Sequence, residues 1–252
     1  MTNADATTVR AFKENRFFGR RKGKKLNPSR EVLYEHFLPK VRLKPLRENE
    51  RVAAADLFDI PVKSAWLEIG FGGGEHLAAQ SEKHQDVGFI GAEVYLNGVT
   101  SLLAHLTGTE GVGNLDENVG LKEGRADNVR IYNEDARDLF AGLADASFER
   151  IYVLFPDPWP KRKHESRRFI GPKNIPVLAR LLKKGGLLRV ASDDMTYIRW
   201  ALRHLIDCPE FKWTAQTSAD WKNPPDDWEQ TRYEQKALAK GKKPVYLTFE
   251  RV

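Results

Sequence analysis

A run of glycines between an apolar segment and the start of a helix constrains the fold more than any other feature of the sequence. Residues 65–69 are predicted to form a buried strand, glycines follow at positions 70, 72, 73 and 74, and residues 76–81 begin a helix. Glycine adopts positive φ easily, and its missing Cβ lets a ligand lie against the backbone. Because the free N–H groups of the helix face the same space, the stretch predicts a strand, turn and helix that cradle a nucleotide-like ligand.

The glycine spacing distinguishes two classes of nucleotide-binding turn. A dinucleotide fingerprint needs glycine at the sixth position of G-x-G-x-x-G, but counting from Gly70 that position is Glu75. The pattern that fits is acidic-x-Gly-x-Gly-x-Gly, made by Glu68, Gly70, Gly72 and Gly74, and it resembles motif I of Rossmann-like S-adenosylmethionine-dependent methyltransferases. A carboxylate near the turn suits the charged amino-acid tail and sulfonium of that molecule. The alternative is a glycine-rich loop that binds no ligand.

Composition limits the class of protein. The 252 residues suit one large α/β domain with extensions, and 41% hydrophobic with 30% charged residues is ordinary for a soluble globular protein. We see no apolar run that could span a bilayer and no apolar signal segment, so we expect a cytoplasmic protein without a membrane partner. Cys208 is the only cysteine and the six histidines lack ligand-like spacing, so no metal is expected. A net charge of +6 hints at a polyanionic partner.

Basic residues are concentrated near the amino terminus. Residues 10–30 carry one acid, Glu14, and nine basic side chains, with Phe12, Phe17 and Phe18 interleaved; the basic residues are Arg10, Lys13, Arg16, Arg20, Arg21, Lys22, Lys24, Lys25 and Arg30. A solvated tail is the commoner explanation for such a run. The aromatic residues favour docking against the protein body or RNA bases. We therefore interpret residues 1–28 as a flexible basic arm that becomes ordered on nucleic acid.

Strands and helices alternate through residues 29–252. We predict seven strands, at residues 65–69, 88–94, 129–132, 150–155, 187–191, 211–216 and 245–251. Helices are predicted at residues 29–38, 47–58, 76–81, 96–106, 174–182 and 197–205, with Pro39 ending the first and Gly185-Gly186 ending the helix at 174–182. Residues 107–127 are too long for an ordinary connection and read as a surface insertion. Trp213, Trp221 and Trp228 are expected to cluster under a long loop.

Acidic side chains follow two of the predicted strands. Glu93 ends the second strand about twenty residues beyond the glycine turn, where an acid can accept hydrogen bonds from ribose hydroxyls. Asp135 or Glu134, after the third strand, could accept from an adenine amino group. The plainer alternatives are a strand-end carboxylate facing water for Glu93 and a helix N-cap for Asp135.

The segment after the fourth strand is the most specific in the sequence. Three prolines surround Asp157 and fix the backbone at the carboxyl edge of the sheet, where ligands bind in open α/β folds. Basic residues suited to phosphate oxygens follow, namely Lys161, Arg162, Lys163, Arg167, Arg168 and Lys173. A Pro-rich surface turn is the alternative, but its position directly after a buried strand argues against that interpretation.

Residues 60–252 closely resemble the bacterial tRNA (guanine-N7-)-methyltransferase family. The resemblance rests on LEIGFGGGEH at 67–76, GAEV at 91–94, NEDAR at 133–137, FPDPWPK at 155–161, ASD at 191–193 and TRYE at 231–234. The basic segment at 19–25 resembles the family's amino-terminal arm less strongly. Arg232-Tyr233 stands where Lys-Phe is common in the family, which keeps charge and aromaticity. The insertion at 107–127 is the second departure.

The resemblance implies a set of functions for particular residues. It implies a Rossmann-like class I methyltransferase fold: a seven-stranded, mostly parallel sheet with helices on both faces and an antiparallel last strand. It implies that Glu68, Glu93 and Asp135, with Gly70 and Gly72 of the turn, contact S-adenosylmethionine, and that Asp157 is the central active-site residue near it. Substrate-binding positions match Lys161, Asp193, Thr231, Arg232, Tyr233 and Glu234. The implied substrate is the variable-loop guanosine of tRNA, position 46 in tRNA numbering.

The expected chemistry is methyl transfer to guanine N7 from S-adenosylmethionine, leaving S-adenosylhomocysteine. Because N7 has an exposed lone pair at neutral pH, Asp157 is assigned to orientation and electrostatics, not obligatory general-base work. Weaker RNA contacts are expected from Arg162, Lys163, Arg167, Arg168, Arg20 and Arg21. We expect tRNA and not DNA as the partner, and a monomer or a homodimer. Two alternatives are a methyltransferase acting on an exocyclic amine and a non-catalytic RNA-binding protein that retains the fold.

Overall fold

The structure, a computed structural model, describes residues 18–48 and 50–252. Its centre is a sheet of seven strands, β1 Ser64–Ile69, β2 Val87–Ala92, β3 Val129–Tyr132, β4 Phe148–Leu154, β5 Leu182–Ser192, β6 Phe211–Trp213 and β7 Val245–Arg251. The order across the sheet is β3-β2-β1-β4-β5-β7-β6. Neighbours from β3 to β5 pair in parallel, and β7 is antiparallel to both β5 and β6. The predicted sheet is therefore confirmed.

Helices lie against both faces of the sheet, as their positions between the strands predict. They are α1 Pro28–Val32, α2 Leu38–Val41, α3 Glu75–Lys83, α4 Leu96–Thr107, α5 Arg137–Phe140, α6 Ile175–Leu181, α7 Met195–Ile206, α8 Ala219–Lys222 and α9 Arg232–Ala239. A π-helical turn at Leu33–Phe37 joins α1 to α2, and 3₁₀ turns occupy Ala54–Leu57 and Arg162–Arg167. Across the described ranges, no helix has the length and apolar character needed to cross a membrane.

The core has two halves, one on each face of the sheet. Strand β1 shows the alternation that produces them: Trp66 packs into the cluster under α3 and α4, whereas Leu67 and Ile69 pack into the cluster under α6 and α7. Glu68 shares the face of Trp66, because residues two apart on a strand point the same way. The one charged residue of that face in β1 is therefore directed at the helix that follows the glycine turn.

Two of the predicted helices before β1 differ in the structure. Pro39 does not end the first helix, which continues to Val41. The Leu38 N–H donates to the Leu33 carbonyl five residues back, so a wider turn precedes the proline ring, which has no N–H to donate. The helix predicted at residues 47–58 is wrong apart from the 3₁₀ turn. Val52 pairs instead with the chain near Leu143, and its N–H donates to the Gly142 carbonyl at 2.9 Å.

Two further predictions are corrected near the carboxyl half. Gly185 and Gly186 do not end a helix; α6 ends at Leu181 and the glycines lie within β5, where the pairing register with β4 shifts. The shift is a bulge, a common reason for glycine in a strand. Trp228 does not cluster with Trp213 and Trp221, because it packs on the opposite face of the sheet.

In the segment predicted as an insertion at residues 107–127, Thr107 ends α4, and residues 108–127 pack along α1, α2 and α3 without forming a helix or strand. Ser29 Oγ donates to the Val112 carbonyl at 2.7 Å, and Lys40 Nζ donates to the Val119 carbonyl at 3.0 Å. Buried Arg125 donates to the Ala78 carbonyl at 2.6 Å. These bonds hold the segment to the helical face from several sides.

Candidate active site

The order of the sheet determines where a ligand can bind. From the central pair of β1 and β4, the strand order continues through β2 and β3 on one side and through β5 on the other. The crevice at the carboxyl ends of β1 and β4 is therefore the topological switch point of the sheet. The glycine turn follows β1, and the segment with Asp157 follows β4. Because β1 and β4 are hydrogen-bonded neighbours, the two most specific motifs of the sequence meet at one edge.

The glycine turn has the backbone that its sequence predicts. Gly70, Gly72 and Gly74 have φ of 71°, 57° and 81°, in the left-handed region that side chains disfavour. At Gly74 a Cβ would also lie 2.6 Å from the Leu102 Cβ of α4, so close helix packing excludes a side chain there. The turn therefore brings bare backbone to the edge of the sheet.

Glu93 is bound directly to this turn. Its carboxylate accepts the Gly72 N–H at 2.8 Å and the Tyr95 N–H at 2.8 Å. Burial raises the pKa of the Glu93 carboxyl above its ordinary value, and the negative charge of nearby Asp157 acts in the same direction. Both oxygens retain a lone pair, so the side chain fixes the turn and can still accept from a hydroxyl pair.

Glu68 lies beneath the turn and is paired inside the protein. It is 4% exposed, and one oxygen lies 2.8 Å from Nδ1 of His76, which is 1% exposed. The His76 ring packs against Tyr152 and Trp228, and its Nε2 has no hydrogen-bond partner among the described residues. His76 was not predicted as a site residue, although it lies on the first turn of α3, eight residues after Glu68.

Asp135 holds its own loop. One oxygen accepts the Arg137 backbone N–H at 3.0 Å and Nε at 2.9 Å, and the other accepts Nη2 at 2.5 Å. Asp135 thus binds the first residue of α5 through an Asx-type turn, but the N-cap position is Ala136, so the N-cap predicted for Asp135 is wrong. Glu134 accepts from Arg21 of the amino-terminal segment at 2.6 Å. Burial, with the charge of Asp135, raises the pKa of Asp138 to about 6.

The segment around Asp157 has an unusual backbone that a buried arginine holds in place. Phe155 and Trp159 have φ of 48° and 43°, values that non-glycine residues adopt rarely. Arg168 is 5% exposed, and it donates to the Pro158 carbonyl at 3.0 Å and to the Trp159 carbonyl at 3.1 Å. Asp157 itself is exposed. We name residues 155–161 the Asp157 loop; the structure presents its carboxylate on a constrained turn.

The basic residues from Lys161 to Arg168 differ in exposure and in what they contact. Lys161, Arg162 and Lys163 are exposed, as an RNA contact requires. Arg168 is buried and donates to the Asp157 loop. It therefore supports that loop inside the protein and does not form the predicted RNA contact. Arg167 stacks its guanidinium 4.2 Å from the Phe18 ring centroid and 4.9 Å from that of Trp159.

The amino-terminal segment is docked over its described part. The Arg21 carbonyl accepts the Leu96 N–H at 2.9 Å, and the Gly23 N–H donates to Asn97 Oδ1 at 3.0 Å. Asn97 Nδ2 returns a bond to the Lys24 carbonyl at 2.9 Å. Arg20 and Arg21 are exposed. The predicted arm residues 1–17, with Arg10, Phe12 and Phe17, lie outside the described residues.

The predicted substrate-binding stretch at residues 231–234 contributes in two ways. Thr231 and Glu234 form the capping box of α9, and buried Glu234 accepts from Trp228 Nε1 at 2.7 Å and from the Tyr246 hydroxyl at 2.5 Å. Arg232 and Tyr233, which lie between them, are exposed. The buried pair therefore fixes the helix start that presents the exposed pair.

Tyr233 reaches the glycine turn. A Cβ at Gly72 would lie 3.0 Å from its ring. Burial raises the pKa of the Tyr233 hydroxyl, and the negative charges of Glu93 and Asp157 act in the same direction. Asp193, after β5, accepts from Lys242 at 2.5 Å. A cavity of about 440 Å³ opens beside the turn, bounded by Gly72, Gly73 and the start of α4.

Comparisons with known proteins agree with this geometry. A family model described as "Putative methyltransferase" matches residues 63–247. A tRNA (guanine-N(7)-)-methyltransferase of Rhodospirillum rubrum is 49% identical over 238 residues, 94% of this chain and 88% of that protein. The one from Paramagnetospirillum magneticum is 47% identical over 241 residues, 96% and 94% of the two chains. In fold, the chain is similar to the crystal structure of the 16S rRNA methyltransferase KamB, with TM-score 0.52 and 12% identity, over 76% and 89% of the two chains.

Proposed function

We propose how this site works from one premise: the chain belongs to the tRNA (guanine-N(7)-)-methyltransferase family and is an S-adenosylmethionine-dependent methyltransferase. The reaction is methyl transfer to guanine N7 in tRNA. We further propose that the target is the variable-loop guanosine, position 46 in tRNA numbering. The products are N7-methylguanosine and S-adenosylhomocysteine.

The cofactor would be held at the carboxyl ends of β1, β2 and β3. The bare backbone of Gly70 and Gly72 leaves room for the ligand, and the remaining lone pairs of Glu93 suit ribose hydroxyls. Asp135, held by Arg137, would lie at the adenine end of the cofactor. Glu68 would act indirectly, because its pairing with His76 supports the glycine turn from inside the protein. S-adenosylmethionine, once bound, supplies an electrophilic methyl group on a positively charged sulfur.

Asp157 would select and orient the guanine. Its carboxylate can accept from guanine N1–H and the exocyclic amine, a pair of donors that adenine does not present. The N7 lone pair forms the new bond to the methyl carbon as the carbon–sulfur bond breaks and its electrons stay on sulfur. The base becomes cationic, so a fixed carboxylate opposes the charge that develops. No proton has to be removed before attack, and alignment is the main requirement.

The remaining predicted residues surround the entry to this site. We propose that Tyr233 packs against the target base, since its exposed ring lies at the glycine turn. Lys161, Asp193 and Arg232 would contact the nucleotide around it. Thr231 and Glu234 act indirectly by fixing the start of α9. A loop nucleotide suits such a site better than a base stacked within a duplex.

One observation supports the proposal: the glycine turn follows β1 and Asp157 follows β4, so both lie at the switch point where these two paired strands end. The test is methyl transfer from labelled S-adenosylmethionine to an unmodified tRNA transcript, with the product nucleoside identified by mass and the site mapped by cleavage at N7-methylguanosine. N7-methylguanosine in the variable loop is the expected result. A methylated exocyclic amine would overturn the role given to Asp157 while leaving the cofactor site intact.

A further inference from the structure

The cavity beside the glycine turn is lined by cations from two distant parts of the chain. Lys25 and Arg30 come from the amino-terminal segment and α1, and Arg232 and Lys236 come from α9. Among the described residues that line the cavity, none is Asp or Glu. Since like charges repel, four cations gathered around one cavity indicate an anion between them.

We propose that this cavity binds a backbone phosphate of the RNA substrate, at a site separate from the basic residues that follow Asp157. The inference rests on the proposed function for the identity of the RNA. The volume of about 440 Å³ is in the range of ligand sites. Lys and Arg with amide and hydroxyl donors are the groups that bind phosphate oxygens in nucleic-acid complexes.

The cavity is held in shape by packed elements. Arg30 donates to the Thr100 carbonyl of α4, which anchors its stem inside the protein. Burial lowers the pKa of the Arg30 guanidinium, so an anion near it would be attracted with less screening than at an open surface. The Asn97 side chain ties the amino-terminal segment to the start of α4, which places Lys25 at the rim.

A further contact relates an anion at this position to the target base. Lys236 lies 5.3 Å from the centroid of the Tyr233 ring. A phosphate bound between Lys25 and Lys236 would thus lie beside the aromatic ring proposed to contact the target base.

The location argues for RNA and against a free anion. Gly72 and Gly73 form one wall, so the cavity adjoins the cofactor turn without including Glu93 or Asp157 among its lining residues. An RNA strand that places one nucleotide at Asp157 has phosphates on either side of it. One of these, or a phosphate of an adjacent strand, would occupy the basic cavity.

The test compares two double variants with equal loss of charge. Lys25→Gln with Lys236→Gln removes two exposed cations from the cavity. Lys184→Gln with Lys212→Gln removes two exposed cations near the amino end of β5 and on edge strand β6. We expect the cavity variant to bind unmodified tRNA transcript about fivefold more weakly and to reduce the salt slope of log K by about 1, with a smaller effect in the control. Equal slopes in the two double variants would overturn the proposal.

A phosphate map separates this inference from the proposed function. Random ethylation of the transcript identifies phosphates whose neutralisation weakens binding. We expect the cavity variant to lose the interference at one phosphate, or two neighbouring ones, that the control retains. If the wild-type chain methylates no tRNA, the proposed function fails; if it methylates tRNA and the cavity variant keeps every interference position, the phosphate site fails. Inhibition by inorganic phosphate alone, without a change in the map, would assign the cavity to a free anion.

Discussion

At the scale of single residues, the acids of the site differ in accessibility. Glu68 is buried against His76, Glu93 is bound to the turn, and Asp157 is exposed on the Asp157 loop. A carboxylate that contacts the target base has to be reachable from solvent, and of these three Asp157 meets that condition best. In the proposed site, the acids assigned to the cofactor and the acid assigned to the base therefore differ in burial.

Asp157→Asn should lose turnover and keep cofactor binding. The amide has the size of the carboxylate but carries no charge to oppose the charge that develops on guanine. We expect kcat to fall by about two to three orders of magnitude, with S-adenosylmethionine affinity within about tenfold of wild type. Single-turnover methylation with calorimetry of cofactor binding measures both. The control is Asp56→Asn, an exposed acid on a 3₁₀ turn; unchanged single-turnover rates in Asp157→Asn would remove Asp157 from the chemistry.

Asp227 supplies a pH-dependent part of the stability. Its carboxylate accepts from Arg150 at 2.5 Å and from Arg189 at 2.6 Å. Burial alone would raise the pKa of Asp227, but hydrogen bonds from Arg189 and Arg150 outweigh it and lower the pKa to about 2. A depressed pKa means that the contribution is complete above the unfolded value of about 3.9 and is lost as pH falls through about 2.

Asp227→Asn should therefore lower the free energy of unfolding at neutral pH. We expect a loss of about 1–2 kcal/mol after allowance for solvent screening, shrinking as the pH approaches about 2. Urea denaturation at several pH values measures the difference. The neighbouring exposed Asp226→Asn is the control, since the same charge is removed without an arginine pair. A loss that stays constant down to the lowest pH would contradict the ion pair.

At the scale of elements, the strands were predicted better than the segments that connect them. Strands β3 and β7 match their predicted ranges because their apolar residues pack on the parallel core. In the described part of residues 47–58 only the 3₁₀ turn at Ala54–Leu57 is helical, because Val52 pairs with Leu143, about ninety positions later, and no local pattern encodes that contact. Pro39 was misread for a related reason: a π turn accommodates it, and the sequence shows only the proline.

The site residues follow the same distinction. Glu93 and Asp157 were predictable because position at a strand end implies position at the sheet edge. Their supports were not: Arg168 is a basic residue in a basic run, and only the fold shows that it is buried against Pro158. His76 likewise looks like an ordinary helix residue until α3 brings it to Glu68.

Arg168→Lys should weaken catalysis through the geometry of the Asp157 loop. A lysine keeps the charge but cannot reproduce the planar pair of N–H donors that bonds two carbonyls. We expect kcat to fall about tenfold to a hundredfold with little change in KM, since the loop is displaced and not removed. The salt slope of tRNA binding should be unaltered. Arg162→Lys, an exposed change in the same segment, is the control; a reduced slope with full turnover would restore Arg168 to the RNA interface.

At the scale of the whole molecule, the amino-terminal segment and the domain form one surface. The described part of the segment crosses the start of α4, pairs with Glu134 and leads into α1, which packs on α4. Its charges therefore lie beside the cofactor edge. A polyanionic substrate would meet them together with the exposed residues after Asp157.

Two truncations should separate the parts of this segment. A chain without residues 1–17 loses three basic residues, and one without residues 1–27 loses eight; the further five are Arg20, Arg21, Lys22, Lys24 and Lys25. We expect both to flatten the salt dependence of tRNA binding, the longer deletion more strongly, because fewer phosphates are neutralised. Titration at several salt concentrations measures it, with cofactor affinity as the folding control. Identical slopes in all three chains would place the segment outside the RNA interface.

The stack of Phe18, Arg167 and Trp159 makes the amino-terminal segment and the Asp157 loop energetically interdependent. One guanidinium contacts both aromatic rings, so holding either segment limits the freedom of the other. Linkage is reciprocal. If RNA bound along the segment raises the affinity of the Asp157 loop for its base, a base bound at the loop raises the affinity of the segment for RNA by the same factor. A double-mutant cycle on Phe18→Ala and Trp159→Ala, read out as tRNA affinity, would give zero coupling if the segments were independent. An isolated guanosine gains nothing from this coupling, so the enzyme should discriminate against it even where its base fits the site.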